Sequence, residues 1–423
     1  MGHQTSKSYL NLQKRLERST QGAPASEALF KFLEILFTEE EAQLVSVLPL
    51  NIFTAQKAAN IWKKPIAETK QILNNLADKG LFLDLAKKNE QFYVLAPPMA
   101  GFIEFSLMRT DGKFDRKILS ELYYQYINIE DNFTKSLFSL NPTIDRVFVQ
   151  ENTIEPEIQT EVLNYEKASE VINSASCITV GTCYCRHKMQ HVGKGCNQPQ
   201  DVCLTFNNSA KSLSKHGIAR EISKKEASEI LKQCIDNGLV QIGDNVQDNV
   251  NWICNCCGCC CEALLAIKKL GHRNIRSNFF AKIEQNNCTG CGLCLQKCPI
   301  KAITLIDSIN SKKAQIIKDQ CIGCGVCANF CPVKAITMHR YDQTKFVPKD
   351  TFERFVINAI EENKLQNFIF DNYHLWTHEI LRRLLKTILS LKPIKIKLVQ
   401  QQLRSRFLNK ITKSQKYSHP ELK

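Results

Sequence analysis

The sequence has no apolar stretch of the roughly 18 residues that a membrane-spanning helix requires. Its N-terminus, MGHQTSKSYL, is polar and lacks the apolar core of a secretory leader. It also contains no Gly-rich phosphate loop, no Ser/His/Asp arrangement and no paired carboxylates of the kind that hydrolases use. We therefore expect a cytoplasmic protein whose chemistry depends on other residue types, and no catalytic residue can be named.

Cysteine is abundant, with 20 residues in a chain of 423. Because no export leader is expected and the cytosol keeps thiols reduced, this number argues against a disulfide scaffold and for thiolate–metal chemistry. The composition, 43% apolar and 23% charged, is that of a globular protein, and the length suits about three domains.

Eight of the cysteines form two copies of one spacing, Cys-x2-Cys-x2-Cys-x3-Cys-Pro. This is the ligand spacing of two-cluster bacterial ferredoxins, in which the fourth cysteine of each run binds the cluster of the other run. Two complete copies disfavour zinc sites or disulfides. The loops contain four glycines that permit the positive φ of tight turns: Gly290, Gly292, Gly323 and Gly325. We predict two [4Fe–4S] clusters, held by Cys288, Cys291, Cys294 and Cys331 and by Cys321, Cys324, Cys327 and Cys298.

A further group of cysteines lies between residues 183 and 203: Cys183, Cys185, Cys196 and Cys203. Thiolates this close repel one another unless a metal neutralises them, so inert core cysteines are the less favoured interpretation. The group could supply four ligands to another iron–sulfur cluster. Zinc is less favoured, because this group lacks the Cys-x2-Cys pairs of structural zinc sites. Cys234 differs, since it lies in an apolar helical pattern typical of a core position.

The last group is the segment from 254 to 261, which contains Cys254, Cys256, Cys257, Cys259, Cys260 and Cys261. If the segment is helical, the cysteines at 256, 259 and 260 share one face. The other three would then be left for a second metal, a vicinal disulfide or no role. The two groups could also combine around one site. We predict at least one further metal centre from these residues.

Residues 25–95 show the order of a winged helix-turn-helix, namely three helices followed by a hairpin. Its predicted elements are a helix after Ser26, helices at Ala55–Trp62 and Ile66–Lys79, a left-handed Gly80, and strands at Leu81–Leu85 and Gln91–Leu95. Such a unit binds DNA or docks onto protein. DNA is the less favoured partner, because the candidate recognition helix mixes lysines with acidic residues and has no arginine cluster.

The positive charge is concentrated at the C-terminus. The chain carries a net +14, and residues 381–423 alone contribute twelve Lys/Arg and one acidic residue. Amphipathic helices are predicted at Phe352–Ile360 and Ile380–Leu391, and Pro393 ends the second. The tail could therefore contact an acidic redox partner, nucleic acid or, as a peripheral contact, an anionic membrane surface.

Taken together, these motifs resemble the 4Fe–4S dicluster ferredoxin-domain proteins of anaerobic bacteria. The resemblance is to an uncharacterised group with an N-terminal winged-helix-like region and extra cysteine motifs, here Cys183-Tyr184-Cys185-Arg186 and the segment Ile253–Cys261. It implies electron transfer by [4Fe–4S] clusters.

The sequence therefore predicts an α+β multidomain protein. In chain order we expect a winged-helix-like domain (25–95), a helical linking region (96–170), a cysteine-rich metal-binding domain (171–278), a 2[4Fe–4S] ferredoxin domain (279–340) and a basic helical tail (349–423). We expect an iron–sulfur electron-transfer protein that serves as a subunit or partner of an anaerobic oxidoreductase. The alternatives are a redox-sensing DNA-binding regulator and a reductase with a substrate-binding cluster at Cys254–Cys261.

Overall fold

A computed structural model of the protein describes residues 5–87, 90–109, 111–271, 274–308, 311–371 and 376–390. Within these ranges the chain mixes helix and sheet. It contains a six-stranded sheet, a three-stranded sheet and two two-stranded sheets. No helix in the described ranges combines the length and the apolar character needed to cross a membrane.

The N-terminal part contains five helices and the three-stranded sheet. The Ser26 hydroxyl caps its second helix by accepting a hydrogen bond from the Leu29 amide at 3.1 Å. Gly80 follows the fifth helix with φ +80°, the left-handed conformation predicted for it. The elements are α1 (Lys7–Glu17), α2 (Glu27–Leu36), α3 (Glu39–Ser46), β1 (Phe53–Thr54), α4 (Ala55–Trp62), α5 (Ile66–Asp78), β2 (Phe82–Lys87) and β3 (Glu90–Leu95).

These elements include every helix and strand predicted for residues 25–95, together with three that were not predicted. The additional elements are α1, α3 and β1. Strand β1 is only two residues long and pairs with β3, placing Phe53 opposite Tyr93. A strand this short has no periodicity that a sequence pattern could reveal.

The region 96–170 is more than a set of linking helices, so that prediction is wrong in part. Helices are present in this region, but a strand follows them and forms one edge of the six-stranded sheet. The strand is too short for its alternation to be recognised. The elements are α6 (Ile103–Met108), α7 (Arg116–Tyr124), α8 (Asn132–Phe138), β4 (Asp145–Val147) and α9 (Ala168–Ser174).

The cysteine-rich domain is built on the six-stranded sheet, whose strand order is β4-β8-β9-β6-β5-β7. All of its pairings are antiparallel. Cys234 is fully buried, in agreement with its predicted core position. The elements are β5 (Ile178–Thr182), α10 (Tyr184–His191), β6 (Asp201–Phe206), α11 (Asn207–Lys215), β7 (Arg220–Glu221), α12 (Lys224–Asp236), β8 (Val240–Asp244), β9 (Trp252–Cys256) and α13 (Glu262–Leu270).

The β2–β3 hairpin packs against helix α11 of this domain. Asp84 in β2 is only 7% exposed and accepts hydrogen bonds from the hydroxyl of Ser212 at 2.8 Å and from the ammonium of Lys215. His216, which follows α11, places Nδ1 2.5 Å from Asp78 and Nε2 2.9 Å from Asp84. The hairpin is thus part of an internal interface that is tied by charged side chains.

The segment predicted as a ferredoxin domain consists of short helices and two antiparallel strand pairs. Strand β10 pairs with β13, and β11 pairs with β12. Each of its short helices contains the third cysteine of one run, Cys294 in the first and Cys327 in the second. The elements are β10 (Phe279–Ile283), α14 (Leu293–Lys297), β11 (Ile303–Ser308), β12 (Ser311–Ile316), α15 (Val326–Asn329) and β13 (Ile336–Arg340).

Three C-terminal helices pack around a small apolar core of their own that includes Val356, Ile360 and Leu389. They are α16 (Thr351–Glu361), α17 (Leu365–Ile369) and α18 (Trp376–Ser390). The first and third agree with the predicted helices at Phe352–Ile360 and Ile380–Leu391. Residues 391–423, with Pro393 and most of the positive charge of the tail, lie outside the described residues.

Candidate metal centres

The two ferredoxin runs form loops of matching backbone conformation. Their four glycines all have positive φ, as predicted, with values of +68°, +76°, +69° and +88° in chain order. The fourth cysteine of each run also receives the same backbone hydrogen bond. The amide of Ala302 donates to Sγ of Cys298, and the amide of Ala335 donates to Sγ of Cys331, both at 3.2 Å. Donors aimed at sulfur stabilise the thiolate that an iron ligand must be.

These loops enclose two small cavities, and each cavity is lined by three cysteines of one run and the fourth cysteine of the other. The first is lined by Cys288, Cys291, Cys294 and Cys331. The second is lined by Cys298, Cys321, Cys324 and Cys327. The arrangement has the donor set and the exchange of the fourth ligand that two [4Fe–4S] clusters require. Burial raises the pKa of the Cys327 thiol, so an empty site favours the protonated thiol and a bound metal must displace that proton.

The structure sorts the remaining cysteines differently from the sequence analysis. The expected set of Cys183, Cys185, Cys196 and Cys203 is divided, because Cys196 lies apart from the other three. The 254–261 segment is divided as well. We call the two resulting sets the four-thiol group and the six-thiol group. The four-thiol group contains Cys196, Cys257, Cys259 and Cys260. The six-thiol group contains Cys183, Cys185, Cys203, Cys254, Cys256 and Cys261, which all line one cavity, and Cys257 of the four-thiol group reaches the wall of the same cavity.

The 254–261 segment is not helical, so the arrangement of Cys256, Cys259 and Cys260 on one helical face does not occur. Residues up to Cys256 belong to strand β9, a turn follows, and helix α13 begins only at Glu262. Because side chains alternate along a strand, Cys254 and Cys256 point to the same side of the sheet. The extended backbone is fixed by pairing with β8, which places Cys254 opposite Ile242. The turn then carries Cys257, Cys259 and Cys260 away from the strand.

The four-thiol group is compact. Sγ of Cys196 lies 3.7 Å from Sγ of Cys257 and 3.8 Å from Sγ of Cys260, and Sγ of Cys259 lies 3.6 Å from that of Cys260. All four sulfurs lie within 4.8 Å of one another. A hydrogen bond from Cys260 lowers the pKa of Cys257 to about 4. One thiolate is therefore available at neutral pH to begin metal binding.

The six-thiol group is more extended and lines a cavity of about 510 Å³. Sγ of Cys203 lies 3.7 Å from Sγ of Cys254. A hydrogen bond from Cys203 lowers the pKa of Cys254 to about 5, although burial opposes the shift. Apolar side chains also line the cavity, among them Met99, Phe105 and Trp252. The volume and the largely apolar wall are those of a small-molecule site.

Arg186 lies between the two groups and is completely buried. Its Nη1 donates to the carbonyl oxygen of Asn255 at 3.0 Å, whereas Nε and Nη2 have no hydrogen-bond partner among the described residues. Burial alone would lower the pKa of this guanidinium, but the thiolates of Cys183 and Cys257 outweigh burial and raise it. A buried cation with spare donors requires negative charge nearby, and thiolate-ligated metal centres supply that charge.

A second buried cation supports the same region from the other side. Lys188 in α10 forms an ion pair with Glu262, the first residue of α13, and the two side chains are 0% and 2% exposed. Asn128 bonds to both residues, accepting from Lys188 and donating to Glu262 at 2.7 Å each. Because Cys185 lies three residues before Lys188 on the same helix and Cys261 immediately precedes Glu262, the pair holds two members of the six-thiol group in position.

The thiol groups directly adjoin the ferredoxin segment. A Cβ atom added at Gly258 would lie 2.4 Å from the carbonyl oxygen of Pro299, so only glycine permits this approach. Pro299 follows Cys298, a cysteine of the second ferredoxin cavity. At a second contact, a Cβ at Gly238 would lie 3.1 Å from the ring of Phe330. The turn of the four-thiol group is thus packed against one ferredoxin loop.

Comparison with known proteins agrees with this part of the geometry. Residues 281–338 match the family model of the 4Fe-4S dicluster domain. The chain therefore contains a 4Fe–4S dicluster domain, and its other cysteines fall into groups of the kind that bind metals. No curated protein matches the chain. An iron–sulfur electron-transfer role follows from the domain, because such domains generally pass electrons to protein partners.

Part of the four-thiol group has a signal in the sequence. Cys257 and Cys260 form a Cys-x2-Cys pair, the spacing that structural zinc sites prefer. The helical alternative groups Cys256 with Cys259 and Cys260 and does not single out this pair. The partner Cys196 has no such signal, since it is 61 residues away from Cys257 along the chain.

Proposed function

We propose that the protein is a multi-centre iron–sulfur electron carrier, and that it works as a subunit or partner of an anaerobic oxidoreductase. Its dicluster domain would hold two [4Fe–4S] clusters at the eight cysteines named above. The six-thiol group would hold a further iron–sulfur centre. Such clusters accept and donate single electrons. We assign no catalytic residue.

The observation that carries this proposal is the contact between Gly258 and Pro299. It places the turn after β9 directly against the residue that follows Cys298. Cys254 and Cys256 lie at the end of β9, just before this turn. The contact between Gly258 and Pro299 therefore brings a dicluster loop close to two members of the six-thiol group. A protein that only displayed two clusters to a partner would not need a further thiol-lined cavity.

The test is to purify the full chain without oxygen, reconstitute it, and measure iron and acid-labile sulfide per chain. About eight sulfides would account for the dicluster domain alone, and about twelve or more would require a further cluster. We expect the larger number. The variant Cys256→Ser should lower the sulfide content toward eight, whereas Cys234→Ala, which removes a buried thiol outside both groups, should not. A wild-type content of eight would contradict the further centre but leave the dicluster domain intact.

A reductase is the second candidate, and the cavity favours it. Seven cysteines, namely the six-thiol group and Cys257 of the four-thiol group, line a cavity of about 510 Å³ whose remaining wall is largely apolar. A centre bound there would face open space that suits a small molecule. Turnover of an added substrate with a chemically reduced donor would support this function. A cavity that accepts no substrate from a broad panel would leave electron transfer alone.

The winged-helix-like unit at residues 25–95 is best interpreted as a docking module. Its hairpin packs on α11 through Asp84, and the ammonium of Lys79 on the candidate recognition helix pairs with Glu41 at 2.6 Å. The ion pair with Glu41 uses an ammonium that DNA phosphates would otherwise engage, and Asp84 buries the hairpin against α11, so we do not favour the redox-sensing regulator. Salt-dependent binding to duplex DNA at low ionic strength would reverse this preference. Cytoplasmic location and a membrane contact of the basic tail remain predictions from the sequence.

A further inference from the structure

We propose that the four-thiol group binds a single divalent metal ion in a tetrahedral site that is separate from every iron–sulfur centre. The ligands would be Cys196, Cys257, Cys259 and Cys260. The ligand class is a borderline-soft divalent ion, Zn²⁺ or Fe²⁺, both of which four thiolates accept. This inference goes beyond the proposed function and does not depend on it.

Sulfur spacing is the first argument. A tetrahedral ion with metal–sulfur bonds of about 2.3 Å holds its sulfurs about 3.8 Å apart. Three of the six sulfur–sulfur separations in this group are 3.6, 3.7 and 3.8 Å, and none exceeds 4.8 Å. An iron–sulfur cube binds each thiolate through a different iron, so its ligands must stand farther apart. The group is therefore sized for one ion.

The dicluster domain provides an internal comparison. The structure describes all 20 cysteines, and among the described residues only the four-thiol group brings three or more His, Cys, Asp or Glu ligand atoms within 4.8 Å of one another. The eight cysteines that line the two dicluster cavities are spaced more widely, although their motif matches a cluster-binding family. The compactness of the four-thiol group is therefore specific to it.

The local backbone is the second argument. Cys257 and Cys260 belong to a tight turn between β9 and α13, and a Cys-x2-Cys turn presents two sulfurs to one metal. Cys196 comes from the loop after α10 and completes the set from a distant part of the chain. A metal here would join two loops that no strand pairing connects. It would also hold the turn that places Gly258 against Pro299.

Charge balance is the third argument. Four thiolates around a divalent ion carry a net charge of about −2, which needs nearby cations. The ammonium of Lys268 donates to the carbonyl oxygen of Gly258 within the same turn. The buried guanidinium of Arg186 adjoins Cys257 and has two nitrogens without a hydrogen-bond partner among the described residues. The surroundings thus suit an anionic metal–thiolate site.

The first test uses the reconstituted full chain and counts zinc, iron and sulfide by elemental analysis and native mass spectrometry. We expect one divalent ion per chain that has no accompanying sulfide. The variant Cys196→Ser should lose that ion and keep all of its sulfide. The control Cys177→Ser removes a buried cysteine outside both groups and should lose neither. Loss of sulfide together with iron in Cys196→Ser would overturn the proposal, because the group would then hold a cluster.

A second measurement avoids the risk that a cysteine variant misfolds. Wild-type protein with its clusters in place is treated briefly with a mild chelator and then titrated with Co²⁺, whose tetrahedral thiolate complex absorbs visible light. We expect saturation at one Co²⁺ per chain and protection of the exposed Cys259 from alkylation. Zn²⁺ should displace the cobalt. An absence of thiolate absorption, or no protection of Cys259, would overturn the proposal whatever the cluster content proves to be.

Discussion

Replacing the buried Glu262 by glutamine should destabilise the cysteine-rich domain strongly. Its partner Lys188 is completely buried, and the change leaves that ammonium without its counter-charge where water cannot reach it. Removing one member of a buried ion pair costs about 3–5 kcal/mol. Glutamine has nearly the same size as glutamate, so loss of packing adds little to the effect. We therefore expect Glu262→Gln to lower the free energy of unfolding by about 3–5 kcal/mol.

The chain offers a matched control in Glu27→Gln. Glu27 is also the first residue of a helix, and it pairs with Lys31 at 2.7 Å, but the two side chains are 82% and 57% exposed. The effect of the helix dipole is thus similar in both variants. An exposed pair contributes little to stability because solvent screens it, so the difference between the variants measures the effect of burial.

The assay is urea unfolding of cluster-loaded protein without oxygen, followed by the fluorescence of Trp252 in β9. The other two tryptophans are replaced by phenylalanine, so that the signal reports the cysteine-rich domain. If Glu262→Gln and Glu27→Gln lower stability equally, our reasoning about the buried pair is wrong. The double change Lys188→Met with Glu262→Leu should recover most of the loss, because it leaves no unpaired charge behind.

Three further predictions concern other parts of the molecule. Gly258→Ala would place a methyl group 2.4 Å from the carbonyl oxygen of Pro299, so we expect slower reduction of the centre proposed for the six-thiol group in stopped-flow experiments, with the dicluster spectrum unchanged. Cys331→Ser should perturb the cluster held by the first run and remove up to about four irons. Electron paramagnetic resonance of each cluster checks this, because without exchange of the fourth ligand the cluster of the second run would be perturbed instead. Hydrogen bonds to Asp84 and Asp78 outweigh burial and raise the pKa of His216. The stability that its positive charge provides should therefore be full below about pH 6.5, the ordinary pKa of histidine, and should be lost as the pH rises through the pKa of His216 in the folded protein. Urea unfolding against pH should show that loss, and Asp84→Asn should reduce it.

Much of the fold could be predicted wherever a strong local pattern exists. The helices α4 and α5, the hairpin that follows and the glycine at 80 were all expected from periodicity and from turn chemistry. Short elements were missed, because the two residues of β1 and the three of β4 carry no measurable period. The six-stranded sheet was not foreseen for the same reason, since its strands are short and contain polar residues and cysteines.

The sequence by itself determined the dicluster domain. Three of the four ligands of each cluster lie within a few residues of one another, the glycines permit the positive φ of the loops, and the family match covers the same segment. Local spacing suffices there because one loop supplies those three sulfurs. The pairing of the fourth cysteines also follows from the motif, and the two observed cavities are lined in that way.

Only the tertiary structure decided how the middle cysteines are grouped. Antiparallel pairing of β8, β9 and β6 keeps Cys254 and Cys256 in an extended strand and brings Cys203 to the same sheet. The turn after β9 then sends Cys257 toward Cys196, 61 residues earlier in the chain. A sequence pattern reports neighbours along the chain, whereas these sulfurs meet through strand pairing and loop packing, which are long-range and therefore invisible to residue spacing.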